Sequence, residues 1–120
     1  MTHGLSKRER ICSVTEVETL MSGGKYVAGA PLRCCWLKRD DGCTLNRMMV
    51  SVPKKLFKRA VKRNLLKRRI REAYRLQKEL LPQDGIDMMY IYSSKELEDF
   101  ASIYGAVGSI LRTIDERRGR

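Results

Sequence analysis

The sequence predicts a small α/β (α+β) fold, a sheet carrying helices in the order α-β-β-(β)-α-β-α. Three observations lead there. Segments with apolar residues at helical spacing alternate with short apolar runs bounded by turn residues. The stretch from about Lys55 to Leu81 is amphipathic, with Leu66, Ile70, Ala73, Tyr74, Leu80 and Leu81 on one side, so one face of a helix can pack on a sheet. Ile86 to Tyr92 is apolar on both faces, as a strand inside a sheet requires. A chain of 120 residues, 42% hydrophobic and 7% aromatic, has the size of one domain with one modest core. Residues 1–5 and 117–120 are expected outside that core.

Each element has a local reason. Ser13-Val14-Thr15-Glu16 is a capping-box pattern, and Val14, Val17, Leu20 and Met21 follow at helical spacing until Gly23-Gly24 stops the run. A short strand fits near Tyr26 to Ala28. Leu32 to Lys38 reads as a strand with Leu32, Cys34 and Trp36 on one face, and Asp40-Asp41-Gly42 turns the chain. Leu45 to Val52 is the next strand, ended by Pro53. The basic helix follows and breaks at Pro82-Gln83-Asp84-Gly85. After the strand Ile86 to Tyr92, Ser93-Ser94 with Glu96 caps a last helix. Its stripe of Leu97, Phe100, Ala101, Tyr104, Val107, Leu111 and Ile114 is expected to be core.

Charge is the most informative feature for function. Between Lys54 and Arg75 lie eleven of the twenty-five basic residues and a single acid, Glu72; the rest of the chain is nearly neutral. Crowded cations repel one another unless a dense polyanion neutralises them, and released counterions then drive binding. The interleaved apolar residues argue for a folded helix rather than a loose tail. Asn64, Lys67, Arg68, Arg71 and Arg75 fall opposite the apolar side. Arginine grips phosphate bidentately, lysine adds point charge, and Asn64 offers both a donor and an acceptor. Tyr26, Trp36, Tyr90 and Tyr92 are available as stacking surfaces for unpaired bases or as core. The partner indicated is nucleic acid.

Other chemistries are poorly supplied. The acids are scattered and no Gly-rich phosphate loop is present, so the chain taken alone does not read as a metal-dependent nuclease. Cys12, Cys34, Cys35 and Cys43 lack ligand spacing, and His3 is the only histidine, so free thiols are expected rather than a metal site. No apolar run approaches the roughly eighteen residues of a membrane span. A cytoplasmic protein with no membrane partner is expected.

Ser51-Val52-Pro53-Lys54-Lys55, followed by Lys58-Arg59-Ala60-Val61-Lys62-Arg63-Asn64-Leu65-Leu66-Lys67-Arg68-Arg69-Ile70-Arg71-Glu72-Ala73-Tyr74-Arg75, resembles the signature of the bacterial ribonuclease P protein component. The resemblance is compatible with order and spacing over about residues 5 to 114. It implies a two-layer sandwich with a left-handed βαβ crossover, against the general handedness rule. It also implies a role. The protein binds the catalytic RNA of ribonuclease P and the single-stranded 5′ leader of precursor tRNA, while the RNA, with Mg²⁺ held mainly by RNA and substrate, removes the leader.

Matched position by position, the resemblance makes Arg63, Asn64, Lys67, Arg68 and Arg71 RNA-binding, with Arg59, Lys62 and Arg75 beside them and Lys54 and Lys55 on the approach. It places the leader cleft at Val17, Met21 and Trp36. It implies no catalytic residue, no metal ligand and no protein partner. Two departures stand out. Leu65 follows Arg63-Asn64 where relatives commonly carry a third basic residue, and Phe57-Lys58 replaces the usual glycine before the Ala60-Val61 pair. The alternative function is another basic RNA-binding protein, such as a ribosomal or ribosome-assembly factor.

Overall fold

The computed structural model describes residues 7–11 and 14–118. Four strands form one mixed sheet in the order β1-β2-β4-β3: β1 (Lys25–Gly29), β2 (Leu32–Lys38), β3 (Arg47–Ser51) and β4 (Ile86–Tyr92). β1 with β2 and β2 with β4 are antiparallel, whereas β3 runs parallel to β4. A parallel neighbour needs a crossover, and α2 (Ala60–Gln77), continued by a short 3-10 turn at Lys78–Leu80, supplies it. The remaining helices are α1 (Val14–Gly23) and α3 (Phe100–Arg118). The predicted cap at Ser13 lies outside the described residues, as do Cys12 and residues 1–6, 119 and 120.

Strand alternation sorts the side chains into two unequal layers. Leu32, Cys34 and Trp36 of β2, with Met88, Tyr90 and Tyr92 of β4, face α2 and α3 and form the main core. This pair of layers is the predicted sandwich. Cys35 and Met89 face the other way and are covered by Leu20 of α1, with Val17 half-buried beside them. α1 approaches closely because residue 24 is glycine: a Cβ there would meet the Leu20 carbonyl oxygen at 2.4 Å and Cys35 Sγ at 2.5 Å. α2 and α3 meet in the same manner. A Cβ at Gly108 would lie 2.5 Å from Gln77 Oε1, while Gln77 Nε2 donates to the carbonyls of Ala73 and Tyr104.

Three boundaries differ from the sequence expectation. The basic helix begins at Ala60 rather than near Lys55, because Pro53 to Leu56 closes a turn and Phe57 is buried against Tyr92, ring centroids 5.8 Å apart. The last helix is capped by Asp99, whose Oδ1 accepts from Ser102 N–H at 2.9 Å, not by Ser93-Ser94. Those serines belong to a loop that Tyr92 Oη pins by donating to the Glu96 carbonyl and accepting from Glu98 N–H. The stripe shifts accordingly. Ile103, Ala106, Gly108 and Ile110 join Val107, Leu111 and Ile114 in the core, while Leu97, Phe100 and Tyr104 stay exposed. Finally, Arg117 and Arg118, expected outside the fold, end α3, and Arg118 pairs with Asp84 and Asp115.

Two buried polar centres hold the loops. Asn46 donates to the carbonyls of Leu81 and Pro82 and accepts from the N–H groups of Asp84 and Ile86, tying the turn before β4 to β3. Asp87 of β4 receives Arg47 bidentately, at 2.9 and 2.8 Å, together with Arg39, and Arg47 also pairs with Glu16 of α1. Removing one partner of a buried ion group strands the others, so Asp87→Ala should lose on the order of 3 kcal/mol in urea unfolding. Asp84 behaves differently with pH. Arg118, then Lys38, hold its carboxyl below the usual carboxylate range. A depressed folded pKa stabilises above the unfolded value, about 3.9, and that stabilisation disappears as pH falls through the folded value. The stability gap between wild type and Asp84→Asn should be full at pH 7 and shrink near pH 3.

Candidate nucleic-acid interface

α2 is anchored along one side by Leu66, Ile70, Ala73, Tyr74 and Gln77. A helix with that side buried must present its remaining positions to solvent, and most of those positions are cationic. Lys62, Asn64, Arg68 and Arg71 are exposed, while Lys67 and Arg75 are partly covered. Lys54, Lys55 and Arg59 are exposed as well, but they lie in the loop and at the cap position rather than on the helix.

These cations divide by what already holds them. Arg63 Nη1 donates to the carbonyls of Phe57 and Lys58, both at 2.8 Å, so it braces the loop entering α2. Arg75 Nε donates to Glu72 at 2.9 Å, and that hydrogen bond holds the Glu72 carboxyl below its ordinary range. Arg69 donates to the Glu98 carbonyl at 2.6 Å and ties α2 to the loop before α3. Among the described residues, Arg68, Arg71, Lys62 and Lys67 have neither an ion pair nor a hydrogen bond through their side chains. They are the uncommitted donors, and phosphate is the ligand their chemistry fits.

The surface continues from α2 onto the sheet. Arg71 and Arg10 line a cavity of about 300 Å³ with Ile11, Met48, Met49 and Val50 along edge strand β3. Beyond Met49 lies the sheet face that α1 covers only in part. Met49 and Ile91 are half-buried on it, and Tyr26, Ala28 and Arg33 are exposed. The Arg33 guanidinium carbon lies 5.8 Å from the Tyr26 ring centroid, a cation–π pair open to solvent.

Of the three residues expected in the cleft, Val17 and Met21 lie on α1 beside this face, Met21 being 51% exposed. Trp36 does not. Strand alternation carries it to the opposite face, where it is buried in the main core, so its assignment to a cleft with α1 is corrected. Tyr26, which the sequence offers as a stacking surface, is exposed on this face, and Arg33 and Arg10 are residues the sequence does not single out for the site. Arg33 carries a signal, standing as a charge near the start of an apolar strand, out of phase with Leu32 and Cys34. Tyr90 and Tyr92 are core. No group of three His, Cys, Asp or Glu suited to a metal occurs among the described residues. Cys34 and Cys35 are buried, and burial raises the Cys34 thiol pKa well above its ordinary value. Among the described residues, no helix is long and apolar enough to cross a membrane.

The family model for ribonuclease P matches residues 5–115. The chain belongs to the ribonuclease P protein family. It is 42% identical over 114 residues to the ribonuclease P protein component of Porphyromonas gingivalis (strain ATCC 33277), covering 88% of this chain and 82% of that one. The corresponding protein of a Picosynechococcus species is 34% identical, over 79% of this chain and 81% of the relative. The solved RNase P protein of Thermotoga maritima superposes with a TM-score of 0.77 at 26% identity, over 89% of this chain and 98% of its own. A Staphylococcus aureus RNase P protein structure, at 24% identity, shares the fold with a TM-score of 0.75 over 88% of this chain and 94% of that one. The ribonuclease P protein component is part of a tRNA-processing ribonucleoprotein, so RNA is the partner implied for the chain that carries this candidate interface.

Within that interface Glu72 is an internal competitor for Arg75. Glu72→Gln should release the guanidinium and tighten RNA binding about fivefold, the scale of one charge-assisted contact of about 1 kcal/mol. Equilibrium binding to a ribonuclease P RNA, with Arg75→Ala as the control that abolishes the gain, checks it.

Proposed function

We propose that this chain docks on the catalytic RNA of ribonuclease P through the exposed face of α2, and holds the 5′ leader of precursor tRNA on the open sheet face beside α1. The observation that carries the reading is the continuity of the two surfaces. Arg68 and Arg71 are uncommitted on the helix, and Arg71 leads along β3 to Met49 and the face bearing Tyr26 and Arg33. An unpaired leader needs a groove where bases meet apolar or aromatic side chains and phosphates meet cations, and this face offers both. Met21 and Val17 form its α1 wall, with apolar packing rather than aromatic stacking from that side.

In this reading the RNA performs the cleavage and Mg²⁺ belongs mainly to RNA and substrate. Metal bound there supplies charge neutralisation and activates the attacking water. Several of the chain's own acids are spent on its cations: Glu72 on Arg75, Asp84 on Lys38 and Arg118, Asp87 on Arg39 and Arg47. What the protein adds is fixed positive charge next to crowded phosphates, which lowers the Mg²⁺ needed to bring enzyme RNA and substrate together. Arg63 contributes by shaping the loop that carries Lys54 and Lys55, so its loss acts through position as well as charge.

Adding the protein to a bacterial ribonuclease P RNA should restore precursor-tRNA cleavage at low Mg²⁺, and protein without RNA should cleave nothing. Arg68→Ala and Arg71→Ala should each weaken RNA binding by about 1 kcal/mol. With roughly six phosphate contacts, log K should fall against log[salt] with a slope near −4. Absence of any stimulation, or α2 variants that bind like wild type at every salt concentration, contradicts the reading.

A further inference from the structure

Trp36, displaced from the cleft by strand alternation, floors a separate basic pocket. A cavity of about 250 Å³ opens where β1 begins, β2 ends and α3 makes its last turn, lined by Lys25, Trp36, Leu37, Lys38, Arg117 and Arg118. Cations from three elements converge there. Lys38 and Arg118 share Asp84, and Arg118 also pairs with Asp115. The other two are not neutralised by any carboxylate among the described residues. Lys25 Nζ lies 5.5 Å from the centroid of the Trp36 ring, and Arg117 makes one long hydrogen bond, 3.5 Å, to the Tyr26 carbonyl. Trp36 Nε1 is the one buried side-chain nitrogen or oxygen without a partner among the described residues. Buried indole N–H groups normally find one. The positive charge that Lys25 and Arg117 leave uncompensated in this corner favours an anion.

We propose that this pocket holds a backbone phosphate of single-stranded RNA, at a second anchor separate from the α2 face. The inference rests on the leader-binding reading and extends it. β1 is the edge strand of the sheet, and Tyr26 is the point where the two surfaces meet. Its exposed ring belongs to the open face beside Arg33, while its backbone carbonyl is held by Arg117 at the rim of the pocket. A strand lying across Tyr26 and Arg33 that continues past the β1 edge therefore meets Lys25 and Arg117 next. The pocket would take nucleotides of that strand farther along, by charge rather than by base identity.

The sequence contains a single tryptophan, so tryptophan emission arises from a residue that lines this pocket. The full-length chain is titrated with a single-stranded RNA decamer, with anisotropy of a labelled RNA recording total binding in parallel. Wild type and Arg68→Ala/Arg71→Ala should both show a saturable change in Trp36 emission. Arg117→Ala combined with Lys25→Ala should abolish that change and reduce the salt slope by about 0.7, the share of one single-strand phosphate contact. Both side chains are exposed, so the fold should persist, as circular dichroism verifies, and Lys25→Arg should keep the response. RNA binding by anisotropy with silent Trp36 emission, or a Lys25/Arg117 double variant that titrates like wild type, overturns the second anchor alone. An emission change produced by inorganic phosphate that RNA cannot displace overturns its assignment to RNA. Failure of RNA to bind any version overturns the leader reading together with it.

Discussion

Burial of one side of α2 is the constraint on which the rest depends. Eleven basic residues between Lys54 and Arg75 repel one another, and each unfavourable neighbour on a helix surface costs about 0.2–0.5 kcal/mol. Against this, Leu66, Ile70 and Tyr74 are almost wholly removed from water, and each such side chain contributes about 1.5–3 kcal/mol. Burial wins by a margin large enough to hold the helix together under its own charge. Tyr74 meets Tyr90 edge-on at 6.0 Å, and the Gln77–Gly108 contact sets how closely α3 can press on α2. The cationic face is therefore a consequence of packing.

The cations are not equivalent, and the difference is what makes a surface rather than a cloud of charge. Arg63, Arg69 and Arg75 are spent inside the protein, on a loop carbonyl pair, on the Glu98 carbonyl and on Glu72. Arg68, Arg71, Lys62 and Lys67 are kept back. The braces fix the backbone from which the free groups project, so the free groups arrive at a phosphate lattice with less freedom to lose. Leu65, between the exposed Asn64 and the buried Leu66, is half-buried and adds apolar cover at the edge of the packed side.

Much of this was readable in the residues, for identifiable reasons. The basic helix, the internal strand β4 and the opposite facing of Cys34 and Cys35 follow from periodicity alone, because period and burial coincide there. The family signature lies in the same stretch. The start of α2 was missed because charge continues through Lys54 to Arg59 while the backbone does not; Pro53 and the burial of Phe57 decide the boundary. The register of α3 was missed because Leu97, Phe100 and Tyr104 are apolar yet exposed, and Asp99 rather than Ser93 captures the first free N–H groups. Alternation puts Trp36 on the correct face, with Leu32 and Cys34, and only the cleft assignment implied by the family resemblance conflicts with it. Asn46, Asp87 and the Tyr26–Arg33 pair depend on contacts between distant segments, which no local pattern encodes.

Lysine footprinting in the assembled ribonucleoprotein tests the central claim most directly. Amine acylation of the chain with and without a ribonuclease P RNA, read by mass spectrometry, should show several-fold protection at Lys62 and Lys67. Lys95, in the loop before α3, should react equally in both. Unchanged reactivity along α2, with protection appearing only elsewhere on the chain, would contradict the account.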